Sequence, residues 1–191
     1  LINLMVTQQL ISTRKLEDYL NRYLKDLYFH QLKRKFACIA VDIVSGEKII
    51  FDEGNVVRAV LASATVPGVF EPVRFRHRML VDGGLIDNVP VDLARSLGAD
   101  FVIALTARPD ITANDVNSIF AVLTQSIYIQ GRELENVSLK KADVVVSSDV
   151  KNVSATDLSR AAECIKQQMD VSERRACKII SQPRMTQRYI T

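Results

Sequence analysis

The stretch that decides the fold is Arg78-Met-Leu-Val-Asp-Gly-Gly-Leu-Ile-Asp-Asn-Val-Pro-Val91, continued as Asp92-Leu-Ala-Arg-Ser-Leu-Gly-Ala-Asp-Phe-Val-Ile-Ala104. Met79 to Val81 has the apolar character of a buried strand, and Asp82-Gly83-Gly84 breaks it. A helix after Pro90 runs to Leu97 and ends at Gly98, a natural left-handed cap. Asp100 then introduces the apolar strand Phe101 to Thr106. Strand, short helix and strand predict a βαβ unit.

Upstream, Leu16, Tyr19, Leu20, Tyr23, Leu24 and Leu27 carry the i, i+3, i+4, i+7 spacing of one helix face, so a helix capped by Thr13 is expected between Thr13 and Phe36. Phe36 to Val44 reads as a strand interrupted by Asp42. Ser45-Gly46 makes a turn and Lys48 to Asp52 returns, which is a hairpin. Asn55 caps a helix to about Ala64, which Pro67-Gly68 stops. Val73 to Val81 alternates irregularly, with His77 near a turn. Downstream, a long helix is expected from Asn114 to Lys141 with Gly131 as its weak point, then a strand from Ala142 to Ser147. Helices at about Thr156 to Met169 and Val171 to Ile180 close the chain before a polar tail. This alternation predicts an α/β three-layer sandwich with a mostly parallel central sheet, built as one domain over residues 1–180 with residues 181–191 as the tail.

Composition narrows the function classes. The chain has 191 residues, 48% of them hydrophobic and 25% charged, with seven glycines and five prolines, which excludes a disordered or collagen-like polymer. A net charge of +3 is too small to mark a nucleic-acid binder. Cys38, Cys164 and Cys177 are widely spaced and have only His30 and His77 to help them, so no metal site and no disulfide framework is expected. The longest apolar runs, such as Phe101 to Leu105, fall far short of the roughly 20 residues that cross a bilayer. The sequence opens at Leu1 and enters the apolar Leu1 to Val6 directly, which predicts an internal start.

Chemistry is sought first at Asp82, because open α/β sheets bind ligands where strands end and loops converge. A strand-held carboxylate partly shielded from water suits a general base, and Gly83 and Gly84, lacking Cβ, let another backbone approach. Asp-Gly is also a common turn dipeptide, so a purely structural turn accounts for the same residues. There is no G-x-S-x-G elbow, no Gly-rich oxyanion loop, no G-x-G-x-x-G and no Walker loop. Ser63, Ser147 and Ser148 lack glycine flanks and read as helix-end or loop serines, and His30 and His77 as surface residues.

The runs Ala62-Ser-Ala-Thr-Val-Pro-Gly-Val-Phe-Glu-Pro72, Leu80 to Val91 and Leu97 to Ala104 resemble the patatin-like phospholipase family, particularly its bacterial members. The likeness extends from about residue 13 to 175. It implies a lipid acyl-ester hydrolase that uses a Ser-Asp dyad without histidine, with Asp82 as the dyad aspartate and Gly83 and Gly84 as support for the active-site loop. The family's nucleophilic Ser and oxyanion loop lie upstream of everything matched, so the chain is expected to supply the Asp and not the Ser. Asp42 is expected to be a structural hydrogen-bond acceptor. The alternatives are a non-catalytic binding or regulatory module of the same fold and, less favoured, a nucleotide-binding domain. No cofactor is expected. The expected partner is a lipid or small acyl ester, with no nucleic acid and with peripheral membrane contact through Arg74, Arg76 and Arg78 beside His77. The long helix either pairs with a second copy, as in a homo-oligomer, or covers a sheet.

Overall fold

A computed structural model describes residues 12–109 and 116–150. These fall into two compact units, one running to Asn88 and including Gln130–Leu134, the other comprising Val89–Ile129 and the chain from Glu135 onward.

Among the described residues the first unit begins with α1 (Thr13–Leu24), capped by Ser12, whose hydroxyl accepts from the Arg14 amide at 3.4 Å. The helix stops at Leu24, before the last apolar position of its face, Leu27, and well short of the expected Phe36. Lys25 and Asp26 both adopt left-handed backbone, at φ 46° and 51°, and the turn they make redirects Leu27 and Phe29 inward. The Val56 amide then donates to the Leu27 carbonyl at 2.8 Å and the Phe29 amide to Gly54 at 3.0 Å. Phe29, in a single 3-10 turn (Phe29–Gln31), is buried. A continuous helix would have spent these contacts on solvent.

Four strands follow: β1 (Cys38–Asp42), β2 (Lys48–Phe51), β3 (Val73–Phe75) and β4 (Arg78–Asp82), in the order β2-β1-β4-β3. Every neighbouring pair is antiparallel. Between β2 and β3 lies α2 (Val56–Ser63), whose Asn55 cap accepts from the Arg58 amide at 3.0 Å, as the sequence predicts. Its buried Val56, Ala59 and Ala62 pack with Ala40, Phe51 and Leu80 of the sheet into one apolar cluster. β1 stops at Asp42, short of the expected Val44, because that side chain takes the Val44 amide and the Ser45 hydroxyl and bends the chain into the hairpin.

The second unit holds α3 (Val91–Ser96), β5 (Ile103–Pro109), α4 (Ile119–Leu139) and β6 (Val144–Val150). β5 and β6 pair in parallel, Ile103 opposite Val144, with α4 as their connection. Val89, Val91, Val102 and Ala104 form its core cluster. Asp143 ties the pieces together, accepting from the Val102 amide at 2.7 Å and from Arg95 at 2.6 Å. α4 begins at the Ser118 cap, and Gly131 lies inside it without breaking it. The expected start at Asn114, the helices at Thr156 to Met169 and Val171 to Ile180, and the tail 181–191 lie outside the described residues.

The α/β class stands, but the mostly parallel sheet does not: the larger sheet is antiparallel throughout, and only the β5–β6 pair is parallel. The expected βαβ unit of β4, α3 and β5 fails for the same reason. β4 has β1 on one edge and, through the two-residue turn Arg76-His77, β3 on the other, so neither edge is open to β5. A two-residue link joins only antiparallel neighbours. The parallel crossover runs through α4 instead.

Three substitutions test this account. Lys25→Gly should raise stability by about 1 kcal/mol, because glycine relieves left-handed backbone that a side chain strains; denaturant titration of both forms measures it. Gly83, just after β4, has no room for a side chain: an added Cβ would overlap the Ile39 carbonyl oxygen and lie 2.6 Å from the carbonyl carbon. Gly83→Ala should cost about 1–3 kcal/mol. Gly84→Ala, whose Cβ would meet only side-chain oxygens of Asp82 and Asn88 at 3.1 Å, should cost clearly less in the same titration.

Candidate active site

Asp82 is the last residue of β4, paired with Ala40 of β1. Its amide donates to the Thr65 carbonyl at 2.9 Å, just past the end of α2. Thr65 is fully buried and its hydroxyl donates back to the Leu61 carbonyl at 2.6 Å, closing the helix while its own carbonyl faces β4. One hydrogen bond therefore joins the Ala62–Pro72 segment to the Leu80–Val91 segment, 17 positions apart along the chain.

Beyond Asp82 the chain enters a 3-10 turn (Gly83–Leu85), and the Asp82 Oδ1 accepts from the Gly84 amide at 2.7 Å. The Ile86 and Asp87 amides both donate to the Gly83 carbonyl, at 3.0 and 2.9 Å, and Asp87 pairs with Lys48 at 3.0 Å. The carboxylate is thus held at its base and on one oxygen, and Oδ2 has no hydrogen-bond partner among the described residues. Burial pushes its pKa above the ordinary carboxylate value, and the Gly84 amide offsets only part of that.

Asp42 stands two register positions away on the same sheet face and behaves in the opposite sense. Burial raises its pKa, but the Val44 amide, the Ser45 hydroxyl, the Met79 amide and Arg78 together outweigh that and hold it below the ordinary value. Its oxygens are occupied, at 3.2 Å from Val44, 3.0 Å from Ser45 and 3.3 Å from Met79. It is a structural acceptor.

The remaining sequence candidates separate. Ser63 ends α2 and hydrogen-bonds Cys38, whose thiol burial pushes up to about 11, so that thiol stays protonated at neutral pH. Ser147 and Ser148 lie within β6, which continues to Val150, and His30 and His77 are exposed. Arg78 pairs with Glu47 and lies 3.8 Å from Asp42. Arg74 is opposite Met79, which puts it on the other sheet face from Asp82, and Arg76 sits in the turn over the Phe75 ring. The three arginines do not form one patch. Thr65 and Asn88 are the neighbours that sequence reading missed. For Thr65 the available signal was a hydroxyl four residues after a helical carbonyl, which favours back-bonding. Among the described residues no cluster of three or more His, Cys, Asp or Glu is placed to hold a metal ion, and no helix is long and apolar enough to cross a membrane.

The sequence profile of the family described as Patatin-like phospholipase matches residues 1–95, which includes both segments that meet at Asp82. An uncharacterised NTE family protein of Mycobacterium tuberculosis is 27% identical over 119 residues, 56% of this chain and 33% of the relative. A second NTE family protein, from Mycobacterium bovis, is 40% identical over 62 residues, 32% of this chain and 11% of the relative. The patatin-like phospholipase domain-containing protein 6 of Mus musculus is 34% identical over 89 residues, 45% of this chain and 6% of the relative. The chain spans a third or less of the length of these relatives. Members of the matched family are lipid hydrolases. With the profile match covering the β4 turn and the helix end that anchors it, the chain belongs to the patatin-like phospholipase family.

Proposed function

We propose that this chain supplies the general base of a lipid acyl-ester hydrolase, with Asp82 as the base of a Ser-Asp dyad whose serine lies outside these 191 residues. The observation that carries this is the state of Asp82: a carboxyl fixed at the end of a strand, one oxygen on the Gly84 amide, the other uncommitted among the described residues, and its proton affinity raised by burial. A carboxylate in water is a weak base toward a hydroxyl, and desolvation moves it toward the working pH.

In the proposed cycle Asp82 Oδ2 takes the serine proton as the serine oxygen attacks the ester carbonyl. It returns that proton to the departing alcohol, leaving an acyl-enzyme. Water then attacks the acyl carbon, giving its proton to Asp82, and the serine oxygen leaves with that proton. Gly83 contributes indirectly: its contact with the Ile39 backbone fixes where the turn, and so the carboxylate, lies. This chain alone, lacking a G-x-S-x-G serine, should show no burst with a p-nitrophenyl ester.

Asp82→Asn tests the role in the protein that also contains the serine. It should lower kcat/KM by about 10²- to 10⁴-fold, the range that general-base help supplies, with the fold intact. Activity retained at the wild-type rate would remove Asp82 from the mechanism. The pH dependence has a definite sign. Because burial raises the Asp82 pKa in the folded state, its ionised form opposes folding, so the aspartate weakens stability above its folded pKa and not below its unfolded value of about 3.9. Asp82→Asn in this chain should therefore melt at or above the wild-type temperature at neutral pH, with the difference vanishing as the pH falls toward that value. The Asn oxygen still accepts from Gly84, so loss of the turn is not expected.

A further inference from the structure

The segment after α1 carries the exposed run Lys33-Arg34-Lys35-Phe36, which bends at Lys33 and Arg34. These residues rim an open groove of about 370 Å³, floored by Leu24 at the end of α1, by Leu27 and Leu32 beyond it and by Val56 and Val60 of α2. Phe36 is 41% exposed, yet its ring is held in place, stacked at 14° and 5.6 Å on the buried Phe29. Neither Lys33 nor Arg34 forms an ion pair among the described residues.

We infer that this surface docks the protein on an anionic membrane. Lys33 and Arg34 beside an ordered, half-exposed aromatic ring and an apolar groove match the layering of a bilayer interface, where charged headgroups overlie the first carbons of the acyl chains. Amphipathic lysine and arginine stems reach along apolar surface while their charges stay at headgroup level. The other basic candidates are committed elsewhere. Arg78 is paired with Glu47, and Arg74 lines a different groove together with Glu17 and Glu71, where the signs mix. The choice of a lipid surface over an acidic protein rests on the lipid-hydrolase reading above.

Flotation of the full chain with vesicles of phosphatidylcholine, alone or mixed with phosphatidylserine, tests it. Wild type should float with the mixed vesicles and not with phosphatidylcholine alone, and salt should weaken the binding. Each basic residue near such a surface contributes about fivefold in partition, so the combined variant Lys33→Gln, Arg34→Gln should lose about 25-fold. Arg34→Glu alone, at an exposed position, should lose more than tenfold and guards against misfolding of the combined variant. The pair Arg74→Gln, Arg76→Gln should bind as wild type. Unchanged binding after the Lys33 and Arg34 changes, equal binding to neutral vesicles, or loss only in the Arg74 and Arg76 variant would overturn the inference. So would saturation by monomeric dihexanoyl phosphatidylserine, which would mark a single-lipid pocket, or failure of the wild type to float while an acidic protein such as casein is bound through Lys33 and Arg34. Asp82→Asn should float unchanged, so a failure of docking and a failure of the hydrolase reading are told apart.

Discussion

The carboxyl end of β4 rests on the absence of one methyl group. Gly83 passes so close beneath β1 that any Cβ would enter the Ile39 carbonyl, and this contact sets the path of the chain out of the strand. From there the Asp82 amide can reach the Thr65 carbonyl and its side chain the Gly84 amide. Moving the turn outward by the width of a methyl group would draw the Asp82 amide away from the Thr65 carbonyl. The half-buried carboxylate is thus a consequence of backbone packing, and α2 is tied to the sheet by the same residue that the proposed chemistry uses.

Two aspartates on one sheet face show how the surroundings decide a role. Asp42 and Asp82 lie on adjacent strands, both shielded from water, and burial pushes both toward protonation. Asp42 receives two backbone amides, a hydroxyl and the nearby Arg78 guanidinium, which reverse the shift. Asp82 receives one amide, which does not. The first is spent as the knot of a hairpin. The second keeps an oxygen and an elevated proton affinity, the combination that acid-base work requires.

Much of this was legible in the residues, for reasons that are local. The Asn55 cap, the Pro67 stop, the β1–β2 hairpin and the break at Asp82 each depend on side chains within a few positions, and the structure places them as read. Sheet direction was not legible. A strand covered on both faces reads as the same apolar run whether its neighbours are parallel or antiparallel, and the deciding feature was the length of the Arg76-His77 link. The overlong first helix failed for a similar reason: the spacing of Leu24 and Leu27 fits a helix, while the left-handed Lys25 and Asp26 that end it are residues with no strong turn signature as a pair. At the site, Asp82 was visible through its motif. Its anchor on Thr65 and the pairing of Arg78 with Glu47 connect residues 17 and 31 positions apart, beyond the reach of any local pattern.

The most direct measurement is a carbon-13 NMR titration of the Asp82 side-chain carboxyl in the full chain, assigned by its loss in Asp82→Asn. The account predicts a midpoint above the ordinary aspartate value of about 3.9, with Asp42 titrating below that value in the same spectra. An Asp82 midpoint at or below the ordinary value would contradict it, because a solvated or fully bonded carboxylate at that turn would be a structural residue and not a poised base.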